Sequence, residues 1–154
     1  MAIPIVGLDP GASGGIALLY NLDASPAAFP WSDTEHDMAR QLREMWEPGA
    51  VCYIERVHSM PKQGVASSFK FGRHYGFLRG LLVATGCRFE DVTPQAWQKA
   101  LGCLSRGDKN VTKGKAQQFF PGMRITHAIA DALLIAEYGR RMENRHAGTE
   151  DPDG

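Results

Sequence analysis

No stretch of this sequence approaches the ~18 consecutive apolar residues that a membrane-spanning helix needs, so no membrane partner is expected. Net charge is missing too, with 17 Lys and Arg balancing 17 Asp and Glu; a uniformly basic surface is thereby excluded. Cysteine is scarce, and there is neither a Cys-x-x-Cys nor a His-x-x-x-His pair, so a disulfide framework and a zinc site are not expected. Cys52, Cys87 and Cys103 read as reduced thiols of a cytoplasmic protein. The first residues carry no basic, apolar signal sequence, and no segment repeats. What remains is ordinary globular composition, 44% hydrophobic and 22% charged over 154 residues. That length suits one domain with a proper core. We place the domain at residues 1–143 and expect the polar stretch 144–154 to be a disordered tail.

Against this background three acids stand out. An apolar run (Ile3, Ile5, Val6, Leu8) reads as a strand that ends on Asp9. The glycine-rich turn Pro10–Gly15 and a second apolar run, Ile16–Tyr20, complete a β-hairpin with a lone carboxylate at the tip of its first strand. Glu55 ends another strand-like run, Val51–Ile54. Asp131 lies inside ITHAIADALLIAEYG, a helix apolar on nearly every side. Burying such an acid unpaired costs several kcal/mol, so each needs a reason. Turn capping for Asp9, a solvated strand end for Glu55 and a salt bridge for Asp131 would each suffice alone. Taken together, the three fit a divalent-metal site better, because oxygen-rich sites hold Mg²⁺ or Mn²⁺ and leave positions for water and phosphate. His127, four residues before Asp131, falls on the same helix face. Fourth ligand, general base, phosphate partner and plain helix-start residue all remain open for it.

The charge balance hides segregation. Residues 57–80 contain Lys62, Lys70, Arg73 and Arg79 and no acid; residues 98–124 contain Lys99, Arg106, Lys109, Lys113, Lys115 and Arg124 against Asp108 alone. The acids gather instead at 33–47 and in the tail. A basic face without a basic total results, and Lys62, Lys70, Arg73, Lys99, Arg106, Lys109, Lys113 and Lys115 are its candidate DNA contacts.

The expected order of elements is a hairpin, a third strand at 27–31, a helix at 32–46 capped by Ser32 with Glu35, and a strand at 51–55. A loop at 60–64, a helix at 66–84, a strand at 87–92 and a short helix opened by Thr93-Pro94 follow. A basic loop at 105–110 and helices at 111–120 and 126–141 complete the chain. That predicts an α/β fold with a mixed sheet of about five strands flanked by helices. In the helix at 66–84, Gly72, Gly76 and Gly80 recur every four residues. Each costs up to ~1 kcal/mol relative to alanine, which implies a close neighbour: the sheet, DNA, or the same helix of a second copy.

D-P-G-x-x-G-G at Asp9, Y-I-E-x-V at Glu55 and the helical D-A-L-L-I-A at Asp131 together resemble the RuvC-like Holliday-junction resolvases, above all their compact phage and prophage versions, over about residues 3–140. The resemblance implies an RNase H-like fold, a homodimer, a bacterial or phage origin, and four-way DNA junctions as the substrate. Carboxylate-bound Mg²⁺, replaceable by Mn²⁺, would serve each subunit in nicking one strand. Asp9, Glu55 and Asp131 would be the metal ligands. His127 stands where the family has a fourth acid or a histidine, four residues before Asp131 where the family's spacing is three. The family's junction-wedging aromatic would fall near His58 and Met60, with Phe69 and Phe71 as alternatives, and its basic residues correspond to Lys99 and Lys113. The implied chemistry is hydrolysis with two metal ions about 4 Å apart, leaving a 5′-phosphate and a 3′-hydroxyl. Competing readings are an RNase H-fold nuclease acting on RNA–DNA hybrid or other branched DNA, a phosphate-binding domain of the actin and sugar-kinase type, and a non-catalytic junction binder.

Overall fold

The computed structural model describes residues 2–22, 26–56 and 62–148. Five strands, β1 (Pro4–Asp9), β2 (Gly15–Tyr20), β3 (Ala27–Pro30), β4 (Val51–Glu55) and β5 (Arg88–Val92), form one sheet in the order β3-β2-β1-β4-β5. β1 pairs antiparallel with β2 and parallel with β4, and β4 runs parallel to β5. The helices are α1 (Glu35–Met45), α2 (Val65–Thr85), α3 (Pro94–Ala100), α4 (Lys109–Phe119) and α5 (His127–His146). The mixed five-stranded sheet is the one expected.

The sheet is covered on both faces, which is why its central strands read as nearly continuous apolar runs. Side chains alternate between two cores. Ile5, Val51 and Tyr53 join Trp97, Leu133 and Leu134 on the side of α3, α4 and α5. Val6, Leu8, Cys52 and Ile54 join Leu42, Leu78 and Leu82 on the side of α1 and α2. Each fully buried aliphatic side chain contributes about 1.5–3 kcal/mol, so two such layers fix the strand register firmly. Helix α5 lies directly on β1. A methyl group added at Gly7 would overlap the backbone of Ala132 and Ala136, and one at Gly139 would overlap Tyr53 and Ile5. Any larger residue at Gly7 would lift the helix off the strand.

Several boundaries differ from expectation, each for a local reason. α1 is capped by Thr34 and not by Ser32: the Thr34 hydroxyl accepts the Asp37 N–H at 3.1 Å, while the Ser32 N–H donates to Gln41 Oε1 at 3.0 Å. α4 begins at Lys109, not Val111, since the Asp108 carboxylate caps it by accepting from Asn110 N–H. α5 continues past Arg141 to His146, so 144–146 belong to the helix and not to a tail. Its last turns hold because Glu143 and Asn144 are buried. Residues 149–154 of the expected tail lie outside the described residues, as do 60 and 61 of the loop expected at 60–64.

The glycine stripe on α2 does not touch the sheet. A methyl group added at Gly72, Gly76 or Gly80 would meet no atom within 4 Å. The helix buries Leu78 and Leu82 instead, so close packing on its own sheet is excluded as the reason for the glycines. Val65, Phe69 and Val83 are exposed as well, at 89%, 71% and 67%. α2 is therefore apolar on two sides and covered on one.

Candidate active site

Strand register places the first two acids side by side. β1 and β4 are parallel and pair from Ile5↔Val51 to Leu8↔Ile54, so their next residues, Asp9 and Glu55, end neighbouring strands. Alternation points both toward the face that carries Ile5, Val51 and Tyr53, the face on which α5 lies. Asp131 precedes Ala132, whose backbone rests on Gly7, so the helix delivers its acid to the same end of the sheet. His127 is the first residue of α5 and is exposed.

All four line one cavity of about 320 Å³, together with Lys109, Thr112 and Phe71. A second cavity of about 500 Å³ shares Glu55, Lys109, Thr112 and Asp131 and continues to Gln95, Gln98 and Arg106. The two make a groove that runs past the acids. Phe71 forms part of its wall and packs against Gly11, which has φ +106°. Any side chain at Gly11 would be strained there and would overlap the ring.

The electrostatics are those of crowded, buried carboxylates that nearby positive charge offsets only in part. Burial raises the Asp9 carboxyl well above the usual range, Glu55 and Asp131 add repulsion, and Lys109 opposes. Burial pushes Glu55 up to about 7, against the hydrogen bond that Trp97 Nε1 donates to its Oε2 at 2.8 Å. Asp131 is also raised by burial, against the Thr112 hydroxyl, Lys109 and His127. Each side chain stays partly open to the cleft. Among the described residues none of the three acids forms an ion pair with a lysine or arginine, and no three acidic, histidine or cysteine side chains close into a tight ion-binding cluster. Carboxylates that raise one another's pKa repel at ligating distance unless a cation lies between them. Three oxygen donors of this kind suit a hard divalent cation such as Mg²⁺ or Mn²⁺.

The candidate DNA contacts fall into separate places. Lys109 and Arg106 border the groove; Arg106 is the one described non-glycine residue with positive φ, at 50°. Lys70 and Arg73 line a neighbouring depression between α1 and α2, where Arg73 pairs with Glu35 at 3.1 Å. Lys62 and Lys99 are exposed. Lys113 is half-buried on α4, one turn beyond Lys109. Lys115 leans over the Phe119 ring, 5.5 Å from its centre. Of the wedge candidates, Phe69 is exposed and Phe71 lines the cleft, so neither is core packing; His58 and Met60 lie outside the described residues. Sequence reasoning missed Trp97, Thr112, Trp31 and His74. Trp31 Nε1 donates to the Asp9 carbonyl at 2.8 Å, and His74 Nδ1 accepts the Gly11 N–H at 3.0 Å. Buried indoles need partners, which was the available signal, but partners 22 and 42 residues away could not be read from spacing.

No protein-family model matches the chain, nor does any curated protein. Solved structures do. Thermus thermophilus RuvC in complex with Holliday junction substrate superimposes with a TM-score of 0.61 at 16% identity, covering 96% of this chain and 97% of that one. A second Thermus thermophilus RuvC structure gives 0.57 at 16% identity, with 95% and 97% covered. The yeast mitochondrial Holliday junction resolvase Ydc2 gives 0.52 at 13% identity, with 94% and 80% covered. The fold is the RuvC type of the RNase H-like architecture.

Proposed function

We propose that this RuvC-fold chain is a divalent-metal-dependent endonuclease that nicks four-way DNA junctions. One observation carries the reading: Asp9, Glu55 and Asp131, from two strand ends and a helix, line one groove, and among the described residues no lysine or arginine forms an ion pair with them. Asp9, Glu55 and Asp131 would hold Mg²⁺ or Mn²⁺, with His127 as a fourth ligand or as the base that takes a proton from water. Metal ions held there would supply Lewis-acid activation of water and charge stabilisation for the leaving 3′ oxygen of a phosphodiester. The chain's own part is to fix the acids, through Trp97 on Glu55 and Thr112 on Asp131, and to seat the DNA backbone. Arg106, Lys109 and Lys113 border or flank the groove and serve the phosphates; Lys62, Lys70, Arg73 and Lys99 extend the basic surface.

Resolving a junction with two-fold symmetry requires paired nicks, which a symmetric dimer provides. The exposed face of α2, with Val65, Phe69, Gly72, Gly76, Gly80 and Val83, is the surface we assign to the second copy, since its glycines let two helix backbones approach. The reading is tested by incubating the protein with a synthetic four-way junction, linear duplex and RNA–DNA hybrid, with and without Mg²⁺. Paired junction nicks that require Mg²⁺ and vanish in Asp9→Asn are expected. Preferential cleavage of hybrid would move the chain to another nuclease class, and junction binding without cleavage would make it a non-catalytic binder. Sedimentation as a monomer at tens of micromolar, with and without junction, would end the dimer assignment.

A further inference from the structure

The turn that follows Asp9 is gripped from behind by residues outside the acid set. Trp31 Nε1 donates to the Asp9 carbonyl at 2.8 Å, and the Trp31 N–H donates to the Gly14 carbonyl at 3.1 Å. From α2, His74 Nδ1 accepts the Gly11 N–H at 3.0 Å, while Phe71, one turn earlier, packs against the same glycine. The Trp31 and His74 rings meet edge to face, with centroids 5.8 Å apart. The turn is thus tied at Asp9 and Gly11 by two rings in edge-to-face contact and at Gly14 by the Trp31 backbone. The Gly11 amide belongs to a residue with φ +106°, a conformation in which nothing local takes its hydrogen.

We infer that His74 is a positioning residue for Asp9, acting through the Gly11 amide. This rests on the reading of Asp9 as a metal ligand. Accepting at Nδ1 requires the neutral imidazole with its proton on Nε2. Burial, which holds the His74 pKa down, keeps that form, and Nε2 is itself buried with no hydrogen-bond partner. A group placed that way offers Nδ1 to the turn while its ring packs on Trp31. Without it the Gly11 N–H loses its partner and the Asp9 carboxylate gains freedom at the point where its direction decides ligation. Groups that orient a metal ligand in this fashion change metal affinity or activity by about 10–100-fold.

The test uses the full chain as His74→Leu, which removes the acceptor, and His74→Asn, whose Oδ1 can occupy the place of Nδ1. Mn²⁺ binding is read by isothermal titration calorimetry, and Gly11 amide exchange by NMR. His74→Leu is expected to weaken Mn²⁺ binding about tenfold and to speed Gly11 exchange, with junction affinity unchanged. His74→Asn is expected to restore both to within about threefold of wild type. Unchanged Mn²⁺ affinity in a folded His74→Leu, or a folded His74→Asn as impaired as His74→Leu, would overturn the inference. If His74→Leu does not fold, rapid exchange of the Gly11 amide in the wild type would overturn it just as directly. Failure of the nuclease reading shows up separately, as absence of junction cleavage by the wild type with Gly11 still protected.

Discussion

Helix α5 carries three acids that are wholly or partly buried, and it treats them in two ways. Glu137, 5% exposed, is held by Arg140 at 2.8 and 2.7 Å and by Arg141 at 3.0 Å. Glu143, 6% exposed, accepts from the Tyr53 hydroxyl at 2.7 Å and from Arg88 at 2.8 Å. Asp131, at the other end of the helix, has the Thr112 hydroxyl and the charges of Lys109 and His127 but no ion pair with an arginine, and it shares its cavity with two more carboxylates. The deeper acids are neutralised by guanidinium groups. The shallower one is left uncompensated beside Asp9 and Glu55, in a groove open to solvent. Burial alone therefore does not mark a functional acid; what marks it is that the chain declines to pair it.

The contrast can be broken from either end. The largest effect is expected at the uncompensated end. Asp9→Asn should reduce Mg²⁺-dependent nicking by at least about a thousandfold, on the scale of a lost electrostatic stabiliser, while junction affinity changes by less than about twofold because lysines and arginines hold the phosphates. Single-turnover assays and gel shifts on one preparation check both. At the compensated end, Arg88→Met leaves the Glu143 carboxylate with Tyr53 alone. About 2 kcal/mol of stability should be lost in urea unfolding, with nicking per folded molecule unchanged.

A pH series sharpens the same comparison. The Asp9, Glu55 and Asp131 carboxyls have folded-state pKa values above their unfolded ones, in each case by burial first, with carboxylate repulsion adding to the rise at Asp9 and Glu55. The folded chain thus binds their protons more tightly. Their contribution to the stability of the metal-free protein is fully present below about pH 4, the unfolded value, and is lost as pH rises through about 7 for Glu55. Mg²⁺ should restore the loss at pH 8 and do little at pH 5, as read by urea midpoints at the two pH values. A metal-free stability that rises over that window would contradict the uncompensated state of the site. The smallest effect concerns the lysines. Lys113→Ala should lower the salt slope of junction binding by about one unit, and Lys115→Ala, whose ammonium leans on Phe119, should leave it nearly unchanged.

Much of this was legible in the sequence because it is local. A strand that ends in an acid and a glycine turn can be read from apolar alternation, and Asp131 stands out against its Ala, Ile and Leu neighbours. The partners of Glu137 lie three and four residues on, within reach of helical spacing. Those of Glu143 do not: Arg88 and Tyr53 arrive from other strands, so the end of α5 looked like a polar tail. The caps at Thr34 and Asp108 were hidden by nearby alternatives of equal propensity. Lys109 could be read as a basic residue but not as the one at the lip of the acid cleft. The glycines of α2 signalled a close neighbour, and the structure removes the sheet from the possibilities.

The central claim is that Asp9, Glu55 and Asp131 share a divalent cation. Anomalous diffraction from crystals grown with Mn²⁺ tests it directly. The expected result is one or two strong peaks enclosed by these three carboxylates, with His127 alongside, and their loss in Asp9→Asn. Manganese bound only at surface acids, with the three carboxylates still apart and empty between them, would contradict it.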